Sequence, residues 1–163
     1  MKIKAIIDED FVNYKKPSMF IGTAYCDFKC CKEVGIDITV CQNAELAQYP
    51  AYDIAFDALY KRYITNPITS AVVLGGLEPF LQYDDILGLI KYFRKHNCND
   101  TFVIYTGYTL DELIQMNYIN DLKQQTNIVL KVGRFIPNSA PRHDSVLGIT
   151  LISDNQKGVI LSE

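Results

Sequence analysis

Four of the five cysteines lie between Cys26 and Cys41, in the run Cys26-Asp-Phe-Lys-Cys30-Cys31-Lys-Glu-Val-Gly-Ile-Asp-Ile-Thr-Val-Cys41-Gln-Asn. Thiolates are soft ligands that suit iron–sulfur clusters and zinc, and one loop can wrap several of them around a single centre. The neighbours Cys30 and Cys31 point differently along the chain, so one of the two is expected to be a bystander. A zinc knot on Cys26, Cys30 or Cys31, and Cys41 would need a fourth ligand, such as His96 or His143. Neither histidine has a C-x-x-C or H-x-x-x-H neighbour. The loop therefore favours iron and sulfide over zinc, with plain buried thiols as the bland reading. No Ser-His-Asp set, phosphate-binding glycine loop or paired-carboxylate motif accompanies it.

Composition narrows the rest. A chain of 163 residues, 48% of them hydrophobic, reads as one compact domain over 1–163 with material for a real core. The net charge of −3 and the scattered distribution of 16 Lys and Arg give no support to a nucleic-acid partner. No apolar run approaches the roughly 18 residues of a membrane span. The N-terminal apolar stretch is too short for a secretory signal and turns acidic at Asp8-Glu9-Asp10. A cytoplasmic location is expected, where thiols stay reduced and clustered cysteines serve metals or catalysis before disulfides.

The elements that must position the loop read as alternating strands and helices. Ile3 to Ile7 and Ser18 to Gly22 are early strands, the second leading straight into the cysteines. Asp53 is placed to cap a helix carrying Ile54, Ala58, Leu59 and Tyr63, stopped by Asn66-Pro67. Ser70 to Leu74 is a buried strand ending in Gly75-Gly76. Asp84 to His96 is a helix with Ile86, Ile90 and Phe93 on one face and Leu87 beside them. Thr101 to Thr106 is the next strand, and Thr109 with Glu112 forms a capping box opening a third helix toward Met116. Asn127 to Val132 is a strand, and Val146 to Ile152 is expected to be the last. This order predicts an α/β fold of βαβ crossovers with a mostly parallel sheet covered by helices. Ligands of such sheets sit beyond the carboxyl ends of the strands, where the cysteine loop, Gly75-Gly76 and Tyr105 to Thr109 would meet.

Spacing and order together resemble a known group. Cys26-x-x-x-Cys30 resembles the opening of the cluster loop of radical S-adenosylmethionine enzymes, and Cys41-Gln42-Asn43 its close in the activating enzymes of glycyl-radical proteins. Gly75-Gly76-Leu77-Glu78-Pro79 is similar to the family's Gly-Gly-Glu-Pro motif. Tyr105-Thr106-Gly107-Tyr108-Thr109, Gly133-Arg134-Phe135 and Ser153-Asp154-Asn155-Gln156-Lys157 resemble segments of the activating component of anaerobic ribonucleotide reductase. The resemblance spans residues 18 to 157. It implies a partial, open β/α barrel and a [4Fe–4S] cluster on Cys26, Cys30 and Cys41, with one iron left for S-adenosyl-L-methionine. It further implies cofactor contacts from Gly75, Gly76, Glu78, Tyr105 and Gly107, the Gly-Gly carbonyls and Glu78 accepting from the ammonium group. The implied partners are a large glycyl-radical protein and a flavodoxin or ferredoxin as electron donor.

Three departures stand out. Where the usual C-x-x-x-C-x-x-C loop has its third cysteine this chain has Glu33, so a ligand at Cys41 lies eight residues further on, with Gly35 as the natural turn of the excursion. Val40 replaces an aromatic residue that touches adenine in the family, and Leu77 occupies the place of a glycine. Three readings therefore stay open: an activase, an enzyme of the same cofactors acting on a small molecule or peptide, and a non-catalytic module holding a cluster or zinc. Outside the loop, Tyr105 could equally be core, Thr109 a plain N-cap, Arg134 and Lys157 surface charges, and Cys98 a small residue in a turn.

Overall fold

A computed structural model describes residues 1–163. Its strands are β1 (Lys2–Asp10), β2 (Ser18–Thr23), β3 (Tyr52–Asp53), β4 (Ala71–Gly75), β5 (Thr101–Tyr105), β6 (Ile128–Val132), β7 (Arg142–Asp144), β8 (Ile149–Leu151) and β9 (Lys157–Ser162). The helices are α1 (Lys29–Val34), α2 (Ala44–Gln48), α3 (Phe56–Ile64), α4 (Tyr83–Lys95), α5 (Leu110–Gln115) and α6 (Ile119–Lys123). Seven strands form one sheet in the order β3-β1-β2-β4-β5-β6-β9, and β7 pairs with β8 in a separate hairpin. The central four, β2-β4-β5-β6, are parallel, while β1 and β9 join them antiparallel. The sheet is open, with β3 and β9 at its two edges.

Period-2 alternation sorts the central strands onto two faces. Met19, Ile21, Val72, Leu74, Phe102, Ile104, Ile128 and Leu130 point to one side and pack against Leu59 and Tyr63 of α3, Ile86, Ile90 and Phe93 of α4, and Leu113 and Leu122 of α5 and α6. Phe20, Ala71, Val73, Val103 and Val129 point to the other, where Tyr14, Leu147 and Leu151 cover them. Helices α3 to α6 thus lie on one face. The second face is roofed only by the chain before β2 and by the β7-β8 hairpin, leaving space above the strand ends.

The expected strands from residue 3 to residue 132 all form, as do the helix near residues 84–96 and the Thr109–Glu112 capping box. Two expectations at the edges are corrected. Asp53 does not cap a helix: Tyr52 and Asp53 pair with Ile3 and Lys2 as an edge strand, and α3 starts at Phe56 after an extended Ala55 with no side-chain cap. The last sheet strand is β9, not Val146 to Ile152. The Asp144 carboxylate accepts from the amides of Val146, Leu147 and Gly158, which turns the chain back where a ladder would have needed those donors.

The helix-covered face is sealed by aromatic contacts around Phe93. Its ring meets Tyr60 edge-on at 5.1 Å, Phe102 edge-on at 5.1 Å and Tyr63 at 5.4 Å between centroids, and it is fully buried. Phe93→Ala should cost about 3–5 kcal/mol, because the cavity left behind cannot close on rings fixed by a sheet. Denaturant unfolding of the metal-free protein should show a lower midpoint at an unchanged slope.

Candidate metal centre

Strand β2 delivers the chain to the cysteines at the carboxyl end of the sheet. Two hydrogen bonds pin the entry: Ala24 N–H donates to Gln82 Oε1 at 3.0 Å, and the Tyr25 carbonyl accepts from Glu78 N at 2.7 Å. Phe28 then adopts φ 53, a left-handed conformation that costs a bulky residue about 1–2 kcal/mol. The reversal opens α1, whose first-turn amides at Cys31 and Lys32 donate to the Phe28 carbonyl at 3.0 and 3.1 Å. Gly35, at φ 66, ends α1 and begins the excursion expected from the sequence. Asp37 then accepts from Thr39 N at 2.8 Å, capping a 3-10 turn that hands over Cys41.

Helix α2 follows and lies directly on the strand ends. A Cβ at Gly76 would stand 2.4 Å from Leu46 Cδ2, and Gly76 has φ 78, a conformation that favours glycine. Lys4 Nζ fastens the far end of α2 by donating to the Ala47 carbonyl at 2.7 Å.

The loop brings the sulfurs together. The Sγ atoms of Cys30, Cys31 and Cys41 all lie within 4.8 Å of one another, and no cysteine is in a disulfide. Cys26, Cys30 and Cys41 line a cavity of about 410 Å³, whereas Cys31 is fully buried and outside its lining. Hydrogen bonding from Cys30 pulls the Cys41 thiol down to about 6, while that same bond drives Cys30 upward. Burial pushes Cys26 up to about 11. Several soft donors thus converge, of which one readily ionises and the others are held protonated in the absence of compensating positive charge. That donor set fits a thiophilic metal or cluster, which would supply the charge.

The ends of β4, β5 and β6 line the same cavity as the sulfurs. Glu78, only 7% exposed, accepts from Phe80 N at 3.1 Å and Thr106 Oγ1 at 2.8 Å through Oε1, and from Gly107 N at 2.9 Å through Oε2. Burial raises its carboxyl to about 7 against the pull of those three donors. Gly76, Glu78, Tyr105 and Gly107 all border the cavity; Gly75 does not, and its carbonyl accepts from Thr23 Oγ1 at 3.1 Å. The Tyr105 hydroxyl donates to the Asn13 carbonyl, so its ring rather than its oxygen is presented to the space. Val40 is 49% exposed and lies outside the lining.

Lys131, absent from the motifs, and Gln156, present in them only within Ser153 to Lys157, also border this space. Lys131 on β6 donates to the Gly133 carbonyl at 3.1 Å and makes no ion pair, and burial lowers its ammonium to about 8. The available signal was a lone lysine inside Ile-Val-Leu-Lys-Val, at a position where alternation turns it away from the helices. Gln156 Oε1 is buried there without a partner.

At the rim, Arg134 is no solvated surface charge. It grips Glu112 with two nitrogens, at 2.9 and 2.6 Å, and stands 2.7 Å from Glu33, while Lys29 reaches Glu112 at 2.6 Å. Arg134 holds the Glu112 carboxyl well below the usual carboxylate range. The network ties α1 of the cysteine loop to α5 and to the chain after β6.

Glu78 sets a pH dependence of definite sign. Its carboxyl titrates near 7 when folded against an ordinary 4.5, so between those values the native state holds the proton more tightly. That contribution is fully present below 4.5 and is lost as pH rises through 7. In metal-free protein, Glu78→Gln should flatten the fall in unfolding free energy between about pH 5 and pH 7.5, by up to about 3 kcal/mol. The readout is the difference in slope between variant and parent in denaturant titrations at several pH values. An unchanged slope would refute the assignment.

Comparison with protein families matches residues 18–157 to a model described as a 4Fe-4S single cluster domain. No curated protein and no solved structure gave a match. The matched stretch is 140 of the 163 residues and contains the four loop cysteines together with the ends of β4, β5 and β6. With free thiols gathered at one edge of a cavity, and a donor set suited to such a cluster, the chain belongs to the 4Fe-4S single cluster domain family.

Proposed function

We propose that this iron–sulfur protein is a radical S-adenosylmethionine enzyme in which Cys26, Cys30 and Cys41 hold the [4Fe–4S] cluster and the adjoining cavity takes S-adenosyl-L-methionine. The observation that carries the reading is the common cavity, lined by three thiols together with Lys131, Glu78 and Gly107, at the carboxyl ends of parallel strands. Bound together, the two groups supply one-electron cleavage of a sulfonium carbon–sulfur bond, which makes hydrogen abstraction possible. The chain's own part is placement. Lys131, cationic near neutral pH and without an acidic partner, is suited to receive a carboxylate. Glu78 locks the β4 and β5 ends, and its oxygens retain acceptor capacity for an ammonium group. The fold in this reading is a partial, open barrel whose concave side is the face without helices.

The substrate we infer is a glycine Cα of a large partner, an anaerobic ribonucleotide reductase being the best fit, with a flavodoxin or ferredoxin as donor. Support comes from the mouth of the cavity. Ile7 and Val12 line it at 49% and 73% exposure, with Phe11 beside them at 60%. An apolar rim of that kind suits a protein surface better than a small polar metabolite. No helix is long and apolar enough to cross a membrane. A second reading, a cluster-holding module without this chemistry, is favoured by one fact: the Gly75 carbonyl and both Glu78 oxygens already have protein donors.

Anaerobic reconstitution decides between them. With iron, sulfide, a strong reductant and S-adenosylmethionine, the enzyme reading expects release of 5′-deoxyadenosine, and Cys41→Ala should abolish both iron retention and product. Iron-loaded protein that releases none would leave the module reading standing. A glycyl-radical resonance appearing in an added reductase would identify the partner class.

A further inference from the structure

Four thiols serve a cube that uses three, and the one left over does not sit apart. Cys31 is fully buried behind the cavity, yet its Sγ stands 3.9 Å from Cys30 Sγ and belongs to the trio within 4.8 Å. Thiolates at about 2.3 Å from one tetrahedral ion lie about 3.8 Å from each other. Thiolates on separate irons of a cube each project from a different corner, and so stand further apart. The spacing of Cys30, Cys31 and Cys41 matches one ion. Consecutive positions on α1 supply two of these sulfurs, and the 3-10 turn capped by Asp37 swings the third over them.

We propose that the cluster-free loop binds a single thiophilic divalent ion, zinc or cadmium in kind, through Cys30, Cys31 and Cys41, and that this ion and the cluster exclude each other. Metal displaces the thiol protons into solvent as the three bonds form. Neither histidine belongs to the group: His96 stacks on Tyr92 at 4.3 Å at the end of α4, and His143 lies in the β7-β8 hairpin. Structural zinc sites close with four protein ligands, so a site of three sulfurs leaves one position to water and exchanges its ion. The exclusion rests on the assignment of the cluster to Cys26, Cys30 and Cys41, because Cys30 and Cys41 are then shared; the ion site itself does not. Its consequence is a loop that keeps its thiols protected until iron arrives, and that excess soft metal blocks.

The test uses the full chain, reduced, metal-free and oxygen-free, titrated with cadmium while the thiolate-to-metal charge-transfer absorbance is followed. The expected result is saturation at one ion per chain. Cys31→Ala should weaken binding at least about tenfold, since even outer-shell partners cost about 10–100-fold. Cys26→Ala should bind cadmium as the parent does. Equal affinity in Cys31→Ala and the parent, or loss in Cys26→Ala, overturns the site. Should Cys31→Ala fold poorly, alkylation of the parent decides: cadmium should slow alkylation of Cys30 and Cys41 and leave the rate at Cys26 unchanged, and slowing at Cys26 instead refutes the trio. Cadmium-loaded parent should resist iron loading while Cys31→Ala in the same cadmium takes it up; uptake by both overturns the exclusion. If Cys26→Ala assembles the cluster as the parent does, the assignment of Cys26 to the cluster fails, while the ion site is judged on its cadmium results alone.

Discussion

The buried carboxylate of Glu78 holds together the parts of the molecule that meet at the carboxyl edge of the sheet. Its side chain spans from the 3-10 turn after β4 to Thr106 and Gly107 after β5, and its amide holds the Tyr25 carbonyl one residue before Cys26. Three separate segments are therefore positioned through one residue. A carboxyl in an apolar setting resists ionisation, and three donors pull the other way, leaving it poised near neutrality. Losing any one donor would leave a buried acceptor under-satisfied.

The second constraint is the unequal covering of the sheet. Helices α3 to α6 seal one face with a continuous aliphatic and aromatic core, while a hairpin and a short pre-β2 segment roof the other. A face covered so lightly has room for a cavity and for side chains such as Lys131 that a packed helix would have excluded. The rim network of Lys29, Glu33, Glu112 and Arg134 then docks the cysteine loop across the mouth. Glu112 serves twice, reaching back to the Thr109 amide in the capping box and accepting Arg134. Fixing the start of α5 thereby also fixes where α1 is held.

The cysteine excursion reconciles a long ligand spacing with a compact site. Residues 33 to 40 do not loop out at random: Gly35 ends α1, Asp37 caps a turn, and Cys41 arrives beside Cys30. Leu46 of α2 follows onto Gly76 and Gly22, so the segment after Cys41 packs back on the glycines at the strand ends. Gly76 is favoured by its own backbone, at φ 78, independently of any ligand. Gly75 has its carbonyl committed to Thr23.

The buried strands, helix α4 and the Thr109 cap were legible from residue order, because hydrophobic periodicity and capping chemistry are local and repeat within a few residues. The cysteine run declared its soft-metal chemistry for the same reason. The edges were not legible: Asp53 looked like a cap until Tyr52 and Asp53 found the β1 backbone, and residues 146–152 read as the last sheet strand, whereas Asp144 takes the Val146 and Leu147 amides and only Ile149–Leu151 pairs, in the β7-β8 hairpin. Nor could adjacency along the chain say that Cys31 turns inward toward Cys30 and Cys41 while Cys26 faces the cavity, or that Lys131 comes to border it. Those outcomes depend on contacts between residues tens of positions apart. Only the packed chain decides them, since burial and hydrogen-bond partners are properties of the assembled neighbourhood and not of any one segment.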